Sequence, residues 1–424
     1  MPDIDTSTKS TIRQLKILLG CYACAPNHGS ELGTGWNFLQ NIAEYHIVHA
    51  IVEEEACRDA IDAHLRKHPE DAHNITFHFI RRKRYGWLKK IWPPSYYWTY
   101  RIWQKKAFAL AQELDKTEHF DLIHQITLVG YREPGYLWKL GKPFIWGPLG
   151  GFTQTARCLL QKTSLHSRIY FNIRNILNNW QKRHSTAARK VSKIAHTIFV
   201  ADPQGIHDIR TIWNREPKIM REVGATAPQP DFVPIKRETG TPLHVCWAGQ
   251  LIPLKALELL LDALPLCNET VFVNIIGDGK MMKKWQERAQ ELHLSERVRF
   301  HGKLPHRDVQ LLMQKCHAFC HTSIKEGGTA TVVVEAMQNG LPVLALDHCG
   351  HATVINPSCG HKIAIHSRKQ ILEELAQTLD LWAKNEQLRY ELAIGAVERS
   401  KDFTWPNKMN ILNEVYMEAV SSSS

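Results

Sequence analysis

Gly249, Gln250 and Lys255 follow the apolar run 243–247 and lead into a helical pattern. That order brings backbone N–H groups and one cation to bear on an anion, and a diphosphate suits both. A second apolar run, 270–276, ends in Gly277-Asp278-Gly279, where two glycines let the chain pass close to something flat or charged, although the same residues also make an ordinary turn. In the third group, Glu326, Gly327, Gly328, Thr329 and Thr331 precede a helix whose free N–H groups and dipole favour a phosphate. Glu335, inside that helix, can accept from both hydroxyls of a ribose, while Glu326 sits in the loop where a sugar would hang. Local roles exist for single members: Thr331 serves equally as a helix cap and Glu335 as a solvated helix residue. Three anion-suited strand ends in sequence order favour the chemical reading.

Elements of a particular kind must hold these groups. Short apolar runs at 15–20, 47–52, 75–80, 121–124, 143–146 and 197–200 read as buried strands with helical patterns between most of them, which argues for a mainly parallel sheet. Around 225–241 prolines replace periodicity, as in a linker. Alternation then resumes from 243 to 346. The expected organisation is a first domain over 12–235, a second over 236–400, a final helix over 401–420, and flexible tails at 1–11 and 421–424. Two doubly wound α/β domains joined in this way face each other across a cleft at the carboxyl ends of their sheets.

The chain has 424 residues, 44% of them apolar, enough for two cores. No run of eighteen apolar residues exists and the first thirty residues lack the pattern of a signal peptide, so a cytoplasmic protein is expected. The ten cysteines are scattered and read as reduced packing thiols, Cys21 and Cys24 included. The net charge of +11 is concentrated. Residues 81–106 hold nine basic side chains, no acidic one and eight aromatics, and 134–201 is again free of acids. Cations near an anionic bilayer contribute about 1 kcal/mol each, and tryptophan and tyrosine favour the interface. Segment 164–183 reads as an amphipathic helix carrying Ile169, Phe171, Ile173, Ile176, Leu177 and Trp180. This surface is expected to rest on the cytoplasmic face of a membrane, although some of its aromatics would equally serve as core.

The run from Gly249 to Pro342 resembles the donor half of the retaining glycosyltransferases of family 4, among the glycosyl transferases group 1, which have the GT-B fold of two Rossmann-like domains. The resemblance implies that the turn holding Gly249, Gln250 and Lys255 binds a diphosphate, that Gly277 and Gly279 lie beside the donor, and that Glu326 and Glu335 bind its sugar and ribose. It places Gly302 near the nucleobase, and Gly328, Thr329, Thr331 and Gly350 around the diphosphate and sugar. In the first domain Gly29, Ser30, Glu31 and Gly33 correspond to a glycine-rich loop facing the donor phosphate and acceptor. Gly150 and Gly151 correspond to a strand-end turn, and His124 to a histidine near the reacting sugar. Catalytic roles thus fall to Lys255, Glu326 and His124, and the last helix is expected to pack back on the first domain. Two departures stand out: Gln250 occupies a position usually held by arginine, and eight residues separate Glu326 from Glu335 instead of seven. An extra glycine absorbed as a loop bulge keeps Glu326 on the sugar; otherwise that contact is lost.

The implied reaction moves a sugar from a nucleoside-diphosphate sugar to a glycan or lipid-linked acceptor, with retention, without a metal or other cofactor, and serves cell-surface polysaccharide or glycolipid synthesis. A sugar-nucleotide epimerase or hydrolase of the same fold is the alternative. A basic nucleic-acid-binding protein explains the charge but leaves the glycine series without purpose, so no nucleic-acid partner is expected.

Overall fold

The structure, a computed structural model, describes residues 13–28, 30–82, 95–128, 130–160, 165–222, 224–226, 228, 232–238, 240–326 and 330–422. The tail expected at 1–11 lies outside the described residues.

The first domain is built on β1 (Lys16–Cys21), β2 (Ile47–Glu53), β3 (Ile75–Ile80), β4 (Leu122–Thr127), β5 (Phe144–Leu149), β6 (Thr197–Val200) and β7 (Lys218–Ile219). They form a seven-stranded parallel sheet in the order β3-β2-β1-β4-β5-β6-β7. The central strands β1 and β4 are buried along nearly all of their length because helices cover both faces. Helices α1 (Ser30–Ala43), α2 (Glu54–Leu65), α3 (Ser95–Glu118), α4 (Leu165–His184), α5 (Thr186–Ile194) and α6 (Pro203–Trp213) connect them.

The second sheet comprises β8 (Leu243–Ala248), β9 (Val271–Ile276), β10 (Val298–Phe300), β11 (Ala318–His321), β12 (Val343–Leu346) and β13 (Gly360–Ile363), all parallel, in the order β10-β9-β8-β11-β12-β13. The order reverses between β8 and β11, so the loops leaving those two strands diverge and open a crevice. Helices α7 (Glu258–Ala263), α8 (Met282–Glu291), α9 (His306–Met313), α10 (Thr331–Gln338), α11 (Arg368–Lys384) and α12 (Glu386–Lys401) flank this sheet. The helix expected from 255 is instead a 3-10 turn, Pro253–Lys255, followed by α7, because Ala256 adopts φ 45° and breaks the helix.

The last helix, α13 (Trp405–Ser421), crosses to the first domain, where Met409, Leu412, Val415, Tyr416 and Ala419 join the core of β1, β2 and β4. Burying one such leucine or valine contributes roughly 1.5–3 kcal/mol. Ser421, expected in a flexible tail, completes this helix. The two crossings run side by side: Ala225 N donates to Phe403 O at 2.9 Å and Trp405 N to Ala225 O at 3.1 Å. Gly224 has no side chain for a reason, since a Cβ there would lie 2.5 Å from the Trp405 ring.

Candidate active site

The glycine turns of the second domain fit against one another. Gly277, at φ 132°, is so close to the preceding turn that an added Cβ would lie 1.9 Å from the Gly249 carbonyl oxygen; at Gly279, φ 155°, it would lie 2.5 Å from that of Leu251. Backbone bonds join the same turns, Gly249 N to Ile276 O at 3.0 Å, Leu251 N to Asp278 O at 2.9 Å and Gly277 N to Gly302 O at 2.8 Å. The close approach read from Gly277 and Gly279 is therefore first of all an approach to the Gly249–Leu251 backbone. Together these turns form one floor at the ends of β8, β9 and β10.

Lys255 and Glu326 meet across the switch point. The turn after β8 and the loop after β11 are stitched by Thr322 Oγ1 donating to Lys255 O at 2.8 Å, Ser323 Oγ to Leu254 O at 3.2 Å and Ile324 N to Leu254 O at 2.9 Å. Trp247 Nε1 donates to Thr322 Oγ1 at 3.0 Å and anchors the seam in the core. These contacts bring the Lys255 ammonium into a hydrogen-bonded ion pair with Glu326 Oε1.

Two buried histidines complete the cluster. His321 Nε2 lies 3.3 Å from Glu326 Oε1, and the His351 ring stands edge-on to His321 at 4.9 Å. Apart from that contact, their ring nitrogens have no hydrogen-bond partner among the described residues. Buried polar atoms left in this state call for a ligand or a functional reason. Burial alone would raise the Glu326 carboxyl, but the His321 contact and the Lys255 charge outweigh it and hold the group below the usual carboxylate range. His321 is itself pushed below its ordinary value by burial, so its ring is neutral at pH 7 and Lys255 is the cation that keeps Glu326 ionised. Burial likewise drives His351 well down. The turn after β12 closes the cluster: Glu326 N donates to Cys349 Sγ at 3.2 Å, and Gly350 opens the short helix that carries His351.

Other expected residues are placed differently. Glu335 lies on α10 and meets His306 Nε2 of α9 at 3.3 Å, at the rim beyond the Lys255 pair. Thr331 begins α10 and the cap position falls to Ala330, so Thr331 does not have the capping role. Gln250 is exposed. Gly328 and Thr329, with Gly327, lie outside the described residues, as does Gly29. The loop expected from Gly29 to Gly33 is already helix from Ser30, with Glu31 and Gly33 in its first turn. A Cβ at Gly33 would lie 2.0 Å from His28 O, which is what requires glycine there. Gly150 bridges to Gly130 just past β5, and Gly151 turns at φ 85° beside Arg132.

His124 requires a correction. It is 0% exposed, Nδ1 is 2.6 Å from Tyr416 Oη and Nε2 is 2.7 Å from Gly147 O. Both ring nitrogens are spent in the core beneath α13, so the ring is not presented to a substrate. The aromatic surface is also smaller than expected: Tyr100 and Trp103 are core, and Arg82 is buried against Tyr22, Tyr96 and Thr99. Tyr97 and Trp98, on the other side of α3, are exposed. Residues 83–94 lie outside the described residues.

Residues 229–396 match the family of glycosyl transferases group 1. That match takes in the whole second sheet. The chain is 27% identical over 176 residues to a phosphatidyl-myo-inositol mannosyltransferase of Mycobacterium leprae, a stretch covering 41% of this chain and 45% of the relative. The chain thus spans about half the length of the curated relatives it matches. Among solved structures it resembles Anabaena HepE, determined with UDP and glucose, at a TM-score of 0.57 and 17% identity over 96% of this chain and 100% of that one. It also resembles the lipopolysaccharide outer core galactosyltransferase WaaB, at a TM-score of 0.60 and 17% identity over 97% and 100% of the two chains. The fold across both domains is GT-B.

On the first-domain side lie two carboxylates that the motifs did not single out, Glu222 and Asp202. Burial, then the nearby Glu31 and Asp202 charges, raises the Glu222 carboxyl to about 8, and its Oε1 is buried without a partner among the described residues. Asp202 caps α6 by accepting from Gly205 N at 2.8 Å, and burial raises it to about 6. Glu222 follows Arg221, whose Nη2 donates to Thr353 O of the second domain at 2.9 Å. Glu222 owes this setting to burial and to Glu31 and Asp202, which are distant from it in the chain.

Proposed function

We propose that this chain is a retaining, metal-independent glycosyltransferase of family 4 that moves a sugar from a nucleoside-diphosphate sugar to a hydroxyl of a glycan or lipid-linked acceptor. The observation that carries the reading is the Lys255–Glu326 pair at the switch point of the second sheet, inside the stretch that matches the group 1 family. The diphosphate lies over the floor of Gly249, Gly277, Gly279 and Gly302, with Lys255 balancing the charge that grows on it as the anomeric C–O bond breaks. The acceptor oxygen bonds to the same face of the sugar and its proton passes to the departing phosphate. Glu326 holds the donor sugar and Glu335 the ribose. Thr331 and Gly350 enclose the diphosphate, a role the family resemblance also gives to Gly328 and Thr329, while Glu31, Gly33, Gly150 and Gly151 face it from the first domain. Lys255 and Glu326 carry the catalytic assignment and His124 leaves it.

No helix among the described residues is long and apolar enough to cross a membrane. On α4, however, Ile169, Tyr170, Ile173, Ile176, Leu177 and Trp180 are all exposed, the last two at 52% and 59%. An amphipathic helix with this face lies in a bilayer interface, which supports peripheral attachment on the cytoplasmic face and a lipid-linked acceptor in cell-surface glycan or glycolipid synthesis. The relative named for phosphatidyl-myo-inositol is in keeping with such an acceptor.

Incubation with a panel of nucleotide sugars, with and without a membrane lipid extract, tests the proposal. Nucleoside diphosphate released only with the extract supports transfer. An altered sugar nucleotide without release supports epimerisation, and an absence of donor binding removes both readings.

A further inference from the structure

Two cations of the first domain, Arg132 and Arg174, lie near enough to Lys325 of the second to act on its charge, and among the described residues none of the three is in a salt bridge. The segment leaving β5 is tied to α4 by side-chain amides: Asn178 Nδ2 donates to Gly151 O at 3.2 Å and Phe152 O at 3.3 Å, and Asn175 Nδ2 to Thr155 O at 2.9 Å. Arg132 joins the same network. Its Nε donates to Gln181 Oε1 at 2.5 Å, its Nη2 bonds Asn178 Oδ1, and its guanidinium stacks 4.6 Å over Tyr131. Arg174, exposed, is one helical turn before Asn178 and shares its face. From the other domain comes Lys325, half-buried, its backbone held by the bond of Ile324 N to Leu254 O and by the Ser323 hydroxyl, which is shared between Leu254 O and Lys325 O at 3.2 Å each. The His348 ring lies against the backbone of both Gln154 and Ile324, which draws the two segments together.

Burial, then the charges of Arg174 and Arg132, lowers the Lys325 ammonium to about 8. Among the described residues none of the three cations pairs with a carboxylate, and Arg132 is held by neutral amides. Like charges gathered in this way repel one another, and an anion between them reverses the sign of the interaction. A cavity of about 390 Å³ opens beside Arg132 between α3 and α4, walled by Tyr97, Trp98, Trp180 and Glu133, whose charge is taken up by Arg101 at 2.6 Å, with room for the group the anion carries.

We propose that Arg132, Arg174 and Lys325 form a second anion site, separate from the Lys255 turn, which binds a phosphate monoester or diester carried by the acceptor. The proposal rests on the transferase reading, since it assigns the phosphate to the acceptor. The first domain thereby selects phosphorylated acceptors and sets them against the donor sugar.

Calorimetric titration of the full chain with inorganic phosphate, at saturating UDP so that the Lys255 turn is filled, tests the site. Lys325→Gln and Arg174→Gln should each weaken phosphate binding about tenfold or more, the loss of one charge-assisted hydrogen bond, and Lys255→Gln should not. Arg174 is exposed, so its replacement does not put folding at stake. Phosphate binding unchanged in both variants, or lost only in Lys255→Gln, overturns the proposal. Vesicles of phosphatidylcholine with and without phosphatidylglycerol distinguish the sources: variants that also lose the anionic vesicles point to a lipid headgroup, and variants that lose phosphate alone point to a soluble phosphorylated acceptor. UDP binding is read separately. Its failure removes the transferase reading, while the phosphate result stands independently.

Discussion

The Lys255 ammonium is bonded to the Glu326 carboxylate across the point where the second sheet reverses its strand order, one following β8 and the other β11. The pair is 16% and 15% exposed, so each charge depends on the other. In this state the cation assigned to the donor diphosphate is held by the carboxylate assigned to the donor sugar, and donor binding has to divide the pair.

Removing either partner should therefore cost stability as well as turnover. Lys255→Ala and Glu326→Ala are each expected to lower unfolding free energy by about 1–3 kcal/mol and nucleoside diphosphate release by about 100-fold or more. In urea melts the double variant should lose less than the sum of the two; strict additivity would show that the pair is not an energetic unit.

Gly277 and Gly302 both have positive φ but differ in surroundings. Gly277→Ala drives a Cβ into the Gly249 carbonyl and should cost about 2–4 kcal/mol, whereas Gly302→Ala meets nothing within 4 Å and should cost only about 1–2 kcal/mol of backbone strain. Equal losses in thermal unfolding would mean that the fit of the two turns contributes nothing.

Glu222 makes the stability of the fold fall between about pH 4.5 and 8. Its carboxyl is raised from 4.5 to about 8 in the folded chain, so its contribution is fully present below pH 4.5 and is lost as pH rises through about 8. Glu222→Gln should flatten that part of the stability profile and make the protein more stable than the parent at pH 8. A variant that keeps the parent slope would place the titration elsewhere.

His124 acts in the opposite direction. Burial lowers it from 6.5 to about 4, so stability is complete above pH 6.5 and is lost as pH falls through about 4. His124→Ala strands Tyr416 Oη and the Gly147 carbonyl and should cost about 2–4 kcal/mol, with donor turnover per folded molecule retained. A well-folded variant without turnover would return His124 to the catalytic group.

The sequence by itself determined the alternation of strands and helices, the proline-rich passage between the sheets, and the strand-end turns with Gly249, Gly277 and Lys255. These signals are local: apolar runs, glycines with positive φ and helix starts are written within a few residues. Even the departure at Gln250 was visible there. Only the tertiary structure decided which charges meet. His124 looked available at a strand end until Tyr416, 292 positions away, closed over it, and Tyr100 and Trp103 looked like surface until α3 turned them inward. Lys255 reaches Glu326 because β8 and β11 lie side by side in the sheet. Glu222, His321 and Lys325 acquire their settings from partners distant in the chain, and no periodicity or spacing records a contact made through space.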